Sequence, residues 1–145
     1  MGFFTNLFSL KAPETPSDKK EIVILMDTAK FELEITGEEN CQAALEAICG
    51  PRHPQGANQT ETALLLLEDK NGQDHNAVRV EIRRRQVGYL SPKAAILYRQ
   101  HLMAKGIPNA TGQCRAVIKG GWISSDGRKG LYAVWLDFPV LCKQL

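Results

Sequence analysis

The chain is predicted to be α+β, mostly antiparallel β, its six or seven strands and two interposed helices making an antiparallel α+β domain or a small barrel. Three observations carry this. Apolar residues alternate with polar ones at period two in several short runs, as in Phe31, Leu33 and Ile35 against Glu32 and Glu34. Two longer runs switch to the 3.6-residue period of a helix. Turn residues separate all of these at short intervals. With 145 residues, 43% hydrophobic and 23% charged, the composition is that of one globular domain rather than of a disordered chain.

Residues 1–20 stand apart from the rest, 21–145. Phe3, Phe4, Leu7, Phe8 and Leu10 share a helical stripe, and a proline-broken polar linker follows. Such a segment folds back on the domain or stays disordered. A peripheral anchor is the sharper reading, weakened by the absence of a cationic face. Residues 22–26 form an apolar run expected as a buried strand, and 31–35 a half-exposed one. Thr36-Gly37-Glu38-Glu39 reads as a capping box for a helix over 39–49, with Cys41, Ala44, Leu45 and Ile48 inward and Gly50-Pro51 as the stop.

Residues 51–60 carry every turn signal and are expected as loop. A strand over 62–68 follows, its four leucines implying cover on both faces. Val78, Val80 and Ile82 alternate with Arg79, Glu81 and Arg83, and 87–90 return as a hairpin with Arg83, Arg84 and Arg85 at its tip. Ser91-Pro92 starts a helix: a side-chain acceptor at N-cap, then a proline whose missing N–H is harmless at N1. Ala94, Leu97, Tyr98, His101 and Leu102 mark its inner face, and Gly106 and Pro108 end it. Strands over 113–119 and 131–138 close the domain.

Several classes of function are excluded or disfavoured. The net charge of +2 rules out a polycation but not a local basic patch. The longest apolar run, 63–67, is far short of the roughly 20 residues that span a bilayer, so no transmembrane segment is expected. The N-terminus lacks the marks of a secretory signal, and a cytoplasmic location is expected. Cys41, Cys49, Cys114 and Cys142 form no C-x-x-C pair and are expected as small packing residues, with no metal and no cofactor. His53, His75 and His101 are scattered; His101 is expected to pack against the core. No nucleophile elbow and no phosphate loop occurs. The stretch from Asp69 has Asp74 where a calcium loop needs Gly and Val80 where it needs Glu.

One constellation remains: Asp74, Asn76, Ala77 and Val78 after Asn71-Gly72-Gln73, then Val87-Gly88-Tyr89-Leu90. With Ile35, Gly37, Gln42 and Leu45, then Ala63 and Leu65, then Cys114 and Gly120-Gly121, it resembles the HIRAN domain family over roughly residues 30–138. That family includes modules of large remodelling ATPases and small bacterial and phage proteins. The resemblance implies an OB-like barrel that binds single-stranded DNA at its 3′ end and has no catalysis of its own. A carboxylate at Asp74 would accept a hydrogen bond from a terminal 3′-hydroxyl and repel a phosphate in the same place. The resemblance further implies a sugar-phosphate contact from Tyr89; Lys93, close by at a helix start, and the Arg83–Arg85 tip with Arg84 at its centre are phosphate candidates by position, and Asn71 and Gln73 lie beside the Asp.

The chain also departs from the pattern. Gln73 stands where the remodelling ATPases carry an aromatic, and Glu34-Ile35 where they carry another. Base stacking contributes about 1–3 kcal/mol per base, so another ring must substitute if binding is retained. Tyr89 packing, Lys93 solvated and the arginines keeping an edge soluble are the plainer alternatives. A protein-interaction module that keeps the fold without the DNA pocket is the rival expectation; a nuclease has no paired carboxylates to support it.

Overall fold

The computed structural model describes residues 22–24, 29–69, 72 and 74–138. The predicted N-terminal segment, residues 1–20, lies outside them, as do Leu25, Met26 and Cys142. The elements run β1 (Ile22–Ile24), β2 (Leu33–Glu34), a 3-10 turn (Glu38–Asn40), α1 (Gln42–Cys49), β3 (Ala57–Leu67), β4 (Val78–Ile82), β5 (Arg85–Tyr89), α2 (Pro92–Ala104), β6 (Thr111–Gly120) and β7 (Tyr132–Leu136). Among the described residues, seven strands form one sheet in the order β2-β7-β6-β3-β4-β5, with β1 added to β6. The β1 pairing is parallel, Ile22 lying opposite Thr111; the other pairings are antiparallel. The expected class is therefore what the described residues adopt: two α-helices and a mostly antiparallel sheet curled into a half-barrel.

The two ends of the sheet meet past β2. Ile35 N–H donates to Val134 O, and one residue later Thr36 exchanges two backbone hydrogen bonds with Tyr89, both 2.8 Å. This isolated bridge joins the β2 side to β5. Gly88 makes the approach possible, since a Cβ there would stand 2.6 Å from Thr36 O and 2.8 Å from the Ile35 side chain. Inside the curl, Leu65, Val78, Val80, Ile82, Ile118 and Val134 pack in one cluster with Leu45 of α1 and Tyr98 and Leu102 of α2. Tyr98 meets Phe138 edge-on at 5.7 Å, and half-buried His101 meets the same ring at 6.3 Å.

Several expectations are corrected. Thr36 does not cap a helix: its hydroxyl donates to Tyr89 O at 3.3 Å, because the residue is committed to the bridge. Gly37, at φ 77°, turns the chain into the 3-10 turn instead, and α1 starts later, at Gln42, with no side-chain cap. The expected loop over 51–60 ends early. β3 begins at Ala57, because nine consecutive residue pairs with β6 outweigh the turn propensity of Gly56-Ala57-Asn58. The leucines of β3 are not covered on both faces, for Leu64, Leu66 and Leu67 are only half-buried. The expected buried strand is exposed at its start: Ile22 is 56% exposed and Val23 half-buried, because β1 lies beside β6 outside the main strand path. The hairpin turn is Arg83-Arg84 alone, both at positive φ (52° and 64°), while Arg85 opens β5.

Candidate nucleic-acid interface

Asp74 opens the tight turn that leads into β4. Asn76 N–H donates to its Oδ1 at 2.9 Å, and Ala77 N–H donates to its carbonyl at 3.2 Å. This is the local bonding for which short acidic side chains suit turns. Ala77 O then accepts Glu68 N–H at 3.0 Å, extending the β3–β4 ladder. Arg99 of α2 braces the turn from behind. Its Nε donates to Asn76 O and its Nη2 to Ala77 O, both at 2.9 Å, and its Nη1 meets Asp69 Oδ1 at 2.8 Å. The Asp74 side chain is half-buried, at the surface rather than in the core. Asn76 serves this turn through its main chain, and Asn71 and Gln73 lie outside the described residues.

Tyr89 lies across the ladder from Arg79. Arg79 alternates with buried Val78 and Val80, so both side chains sit on the outer face of the sheet. The Tyr89 hydroxyl donates to Glu68 Oε1 at 3.0 Å, while Arg79 Nη1 reaches Glu68 Oε2 at 2.6 Å and its Nε reaches Glu81 at 3.0 Å. Burial and the bond to Glu68 push the Tyr89 phenol above its ordinary value. Its hydroxyl is thus engaged, and the half-buried ring is what Tyr89 presents.

Lys93 is exposed in the first turn of α2. That helix starts as its sequence predicts, Ser91 Oγ accepting Ala94 N–H at 3.2 Å with Pro92 at N1. The Leu90 N–H to Val78 O bond sets this helix start beside the Asp74 turn. Asp74, Tyr89 and Lys93 therefore occupy one end of the half-barrel. Arg84 does not join them. It sits exposed at the far end of β4, and its neighbour Arg83 is occupied by Glu61 at 2.8 Å.

Two rings stand on the outer face further round the curl. Trp135 is the cross-strand partner of Glu34, and Lys119 Nζ lies 5.7 Å from its centroid. Phe31 lies under the Arg115 guanidinium at 5.4 Å. Since Thr36 bridges to Tyr89 and Glu34 is two residues back on the same face, Tyr89, Glu34 and Trp135 follow one another across the closure. A ring thus stands one strand away from Glu34.

Sequence reasoning missed Arg99 and Glu68. The signal for Arg99 was its place four residues after Ala95 and three before Leu102, both buried, which puts an arginine at the margin of the packed stripe. Glu68 ends a leucine run and carried no signal. Among the described residues, no group of three or more His, Cys, Asp or Glu is placed to hold a metal, Cys41 and Cys49 are free thiols, and no helix is long and apolar enough to cross a membrane.

The fold and this surface define a small α+β half-barrel with a braced acidic turn and an outer face carrying aromatic and basic side chains. No family model, no curated protein and no solved structure matches the chain.

Proposed function

We propose that the protein is a HIRAN-like module that binds single-stranded DNA at its 3′-hydroxyl end, with no catalytic step of its own. The observation that carries the reading is the Asp74 turn. A half-exposed carboxylate is oriented by Asn76 N–H, in a turn that Arg99 braces through the Asn76 and Ala77 carbonyls, beside a helix start bearing Lys93. A carboxylate so placed accepts a hydrogen bond from a sugar hydroxyl and opposes a terminal phosphate, so it distinguishes an end from an internal nucleotide. Lys93 meets the last phosphodiester, and the strand passes over the Tyr89 ring toward Trp135. Trp135 with Lys119 takes the stacking role that Gln73 and Glu34 do not supply.

A second reading has its own support. Glu34 beside Trp135, and Glu68 and Glu81 around Tyr89, place carboxylates along the same path. These oppose phosphates and favour a protein partner on the same fold. Fluorescence anisotropy separates the two. Short oligonucleotides with a 3′-hydroxyl or a 3′-phosphate are titrated at low and moderate salt. Binding that prefers the 3′-hydroxyl and weakens with salt supports DNA-end recognition. No binding at low salt rejects it and leaves the protein-interaction reading.

A further inference from the structure

Helix α2 has two unlike faces. Ala94, Ala95, Tyr98 and Leu102 are buried in the core cluster, while Ile96 is 43% and Met103 67% exposed. Spaced i, i+7, these two lie on one face, two helical turns and about 10 Å from each other. Leu97 and, past the helix end, Ile107 are half-buried and join this face to the core. Aliphatic side chains exposed singly are ordinary on a protein surface; a line of them along one helix, continuous with the core, gains from cover.

The chain itself carries a suitable cover, and β1 shows where that part of the chain arrives. β1 runs parallel to β6 with Ile22 opposite Thr111, so the chain enters β1 from the side of the α2–β6 connection. That connection is tied to the end of the helix. Ile107 N–H donates to Leu102 O at 3.0 Å, and Ala110 N–H donates to Ile107 O at 3.1 Å. Ile22 is itself 56% exposed, so apolar surface marks both the point of entry and the last turn of α2.

The preceding sequence matches the stripe in character and in length. Phe3, Phe4, Leu7, Phe8 and Leu10 share one face at helical spacing, and from Phe3 to Leu10 that face is again about 10 Å long. Residues 11–21 join it to β1 and span at most about 36–40 Å when extended, against about 20 Å for the whole of α2. The stripe is within reach along its full length. Its size also argues for a tethered occupant. Ile96 and Met103 fall far short of the roughly 800 Å² per partner that a stable interface between folded proteins buries. A segment of the same chain needs less area, since it meets the stripe at an effective concentration on the order of millimolar.

We propose that residues 3–10 dock as an amphipathic helix on the Ile96–Met103 face of α2, their phenylalanines and leucines against it. The docking covers apolar surface on both partners and ties the start of the chain to the helix whose Arg99 braces the Asp74 turn. It does not depend on the strand-end reading, and either can fail alone.

The test is NMR on the full chain labelled at the methionine methyls, of which there are three, in Met1, Met26 and Met103. Met103→Leu assigns the Met103 signal. The comparison is with a variant carrying Phe3→Ser, Phe4→Ser and Phe8→Ser together, whose β3–β6 amide signals show that the domain remains folded. The expected result is a wild-type Met103 methyl in nuclear Overhauser contact with phenylalanine ring protons, its signal unchanged on about tenfold dilution. In the triple variant those contacts are lost and the signal moves toward the position of a solvated methionine. A Met103 signal that is the same in wild type and triple variant overturns the proposal. So does a signal that moves on dilution, because a second copy of the chain then occupies the face. Should the triple variant not fold, the wild type still decides: a Met103 methyl in contact with no phenylalanine ring overturns the proposal.

Discussion

At the scale of single residues, the Asp74 turn depends on a side chain from another element. Arg99 supplies three hydrogen bonds to the 69–77 segment, two of them to main-chain carbonyls. Arg99→Leu should lower unfolding stability by about 1–3 kcal/mol, the usual loss when a charged donor leaves its acceptors unpaired. Hydrogen exchange at Asn76 and Ala77 should quicken more than at the β3–β6 amides. Glu38 gives a pH signature. It is 9% exposed, its Oε2 has no partner among the described residues, and burial raises its pKa above 4.5, against the lowering effect of backbone N–H bonds. Between 4.5 and that raised value the folded state binds a proton that the unfolded state has released. This group therefore supports the fold below 4.5 and loses that contribution as pH climbs through the folded value. Glu38→Gln should melt higher than wild type at neutral pH, with the gap closing near about pH 4; an equal gap at both pH values would refute the assignment. Asp74 and Tyr89 were legible because their spacing forms a pattern. Arg99 was not, because the local sequence does not reveal what a long cationic side chain reaches.

At the scale of elements, the joint between β5 and the end of β2 is the point of greatest leverage. Gly88→Ala puts a methyl against Thr36 O and Ile35 at a φ of 154°. The expected outcome is a loss of at least about 2 kcal/mol in urea denaturation, from overpacking and the broken bridge together. A near-neutral effect would show that the curl does not need this closure. The α2 start was readable from Ser91-Pro92 because an N-cap is a local device, and the structure keeps it. The Thr36 capping box failed for the complementary reason. Its hydroxyl and backbone are claimed by Tyr89, 53 residues away, and no local motif anticipates that. β3 was read too short for the same cause, since its first residues are strand only because β6 pairs with them.

At the scale of the molecule, a net charge of +2 supplies no strong global field, so the proposed recognition of a DNA end rests on local contacts. The half-barrel provides for that by gathering the Asp74 turn, Tyr89 and Lys93 at one end of β3. The central claim is that the Asp74 charge, beyond its part in the turn, receives a strand terminus. Asp74→Asn isolates the charge, because the amide oxygen still accepts Asn76 N–H and the turn is kept. The decisive measurement is the ratio of dissociation constants for 3′-phosphate and 3′-hydroxyl oligonucleotides, in wild type and in Asp74→Asn at equal stability. The account predicts a ratio of about 10–100 in wild type, as expected of a charge-assisted hydrogen bond, falling toward unity in the variant. A wild-type ratio near one, or a ratio unchanged by Asp74→Asn, would contradict it.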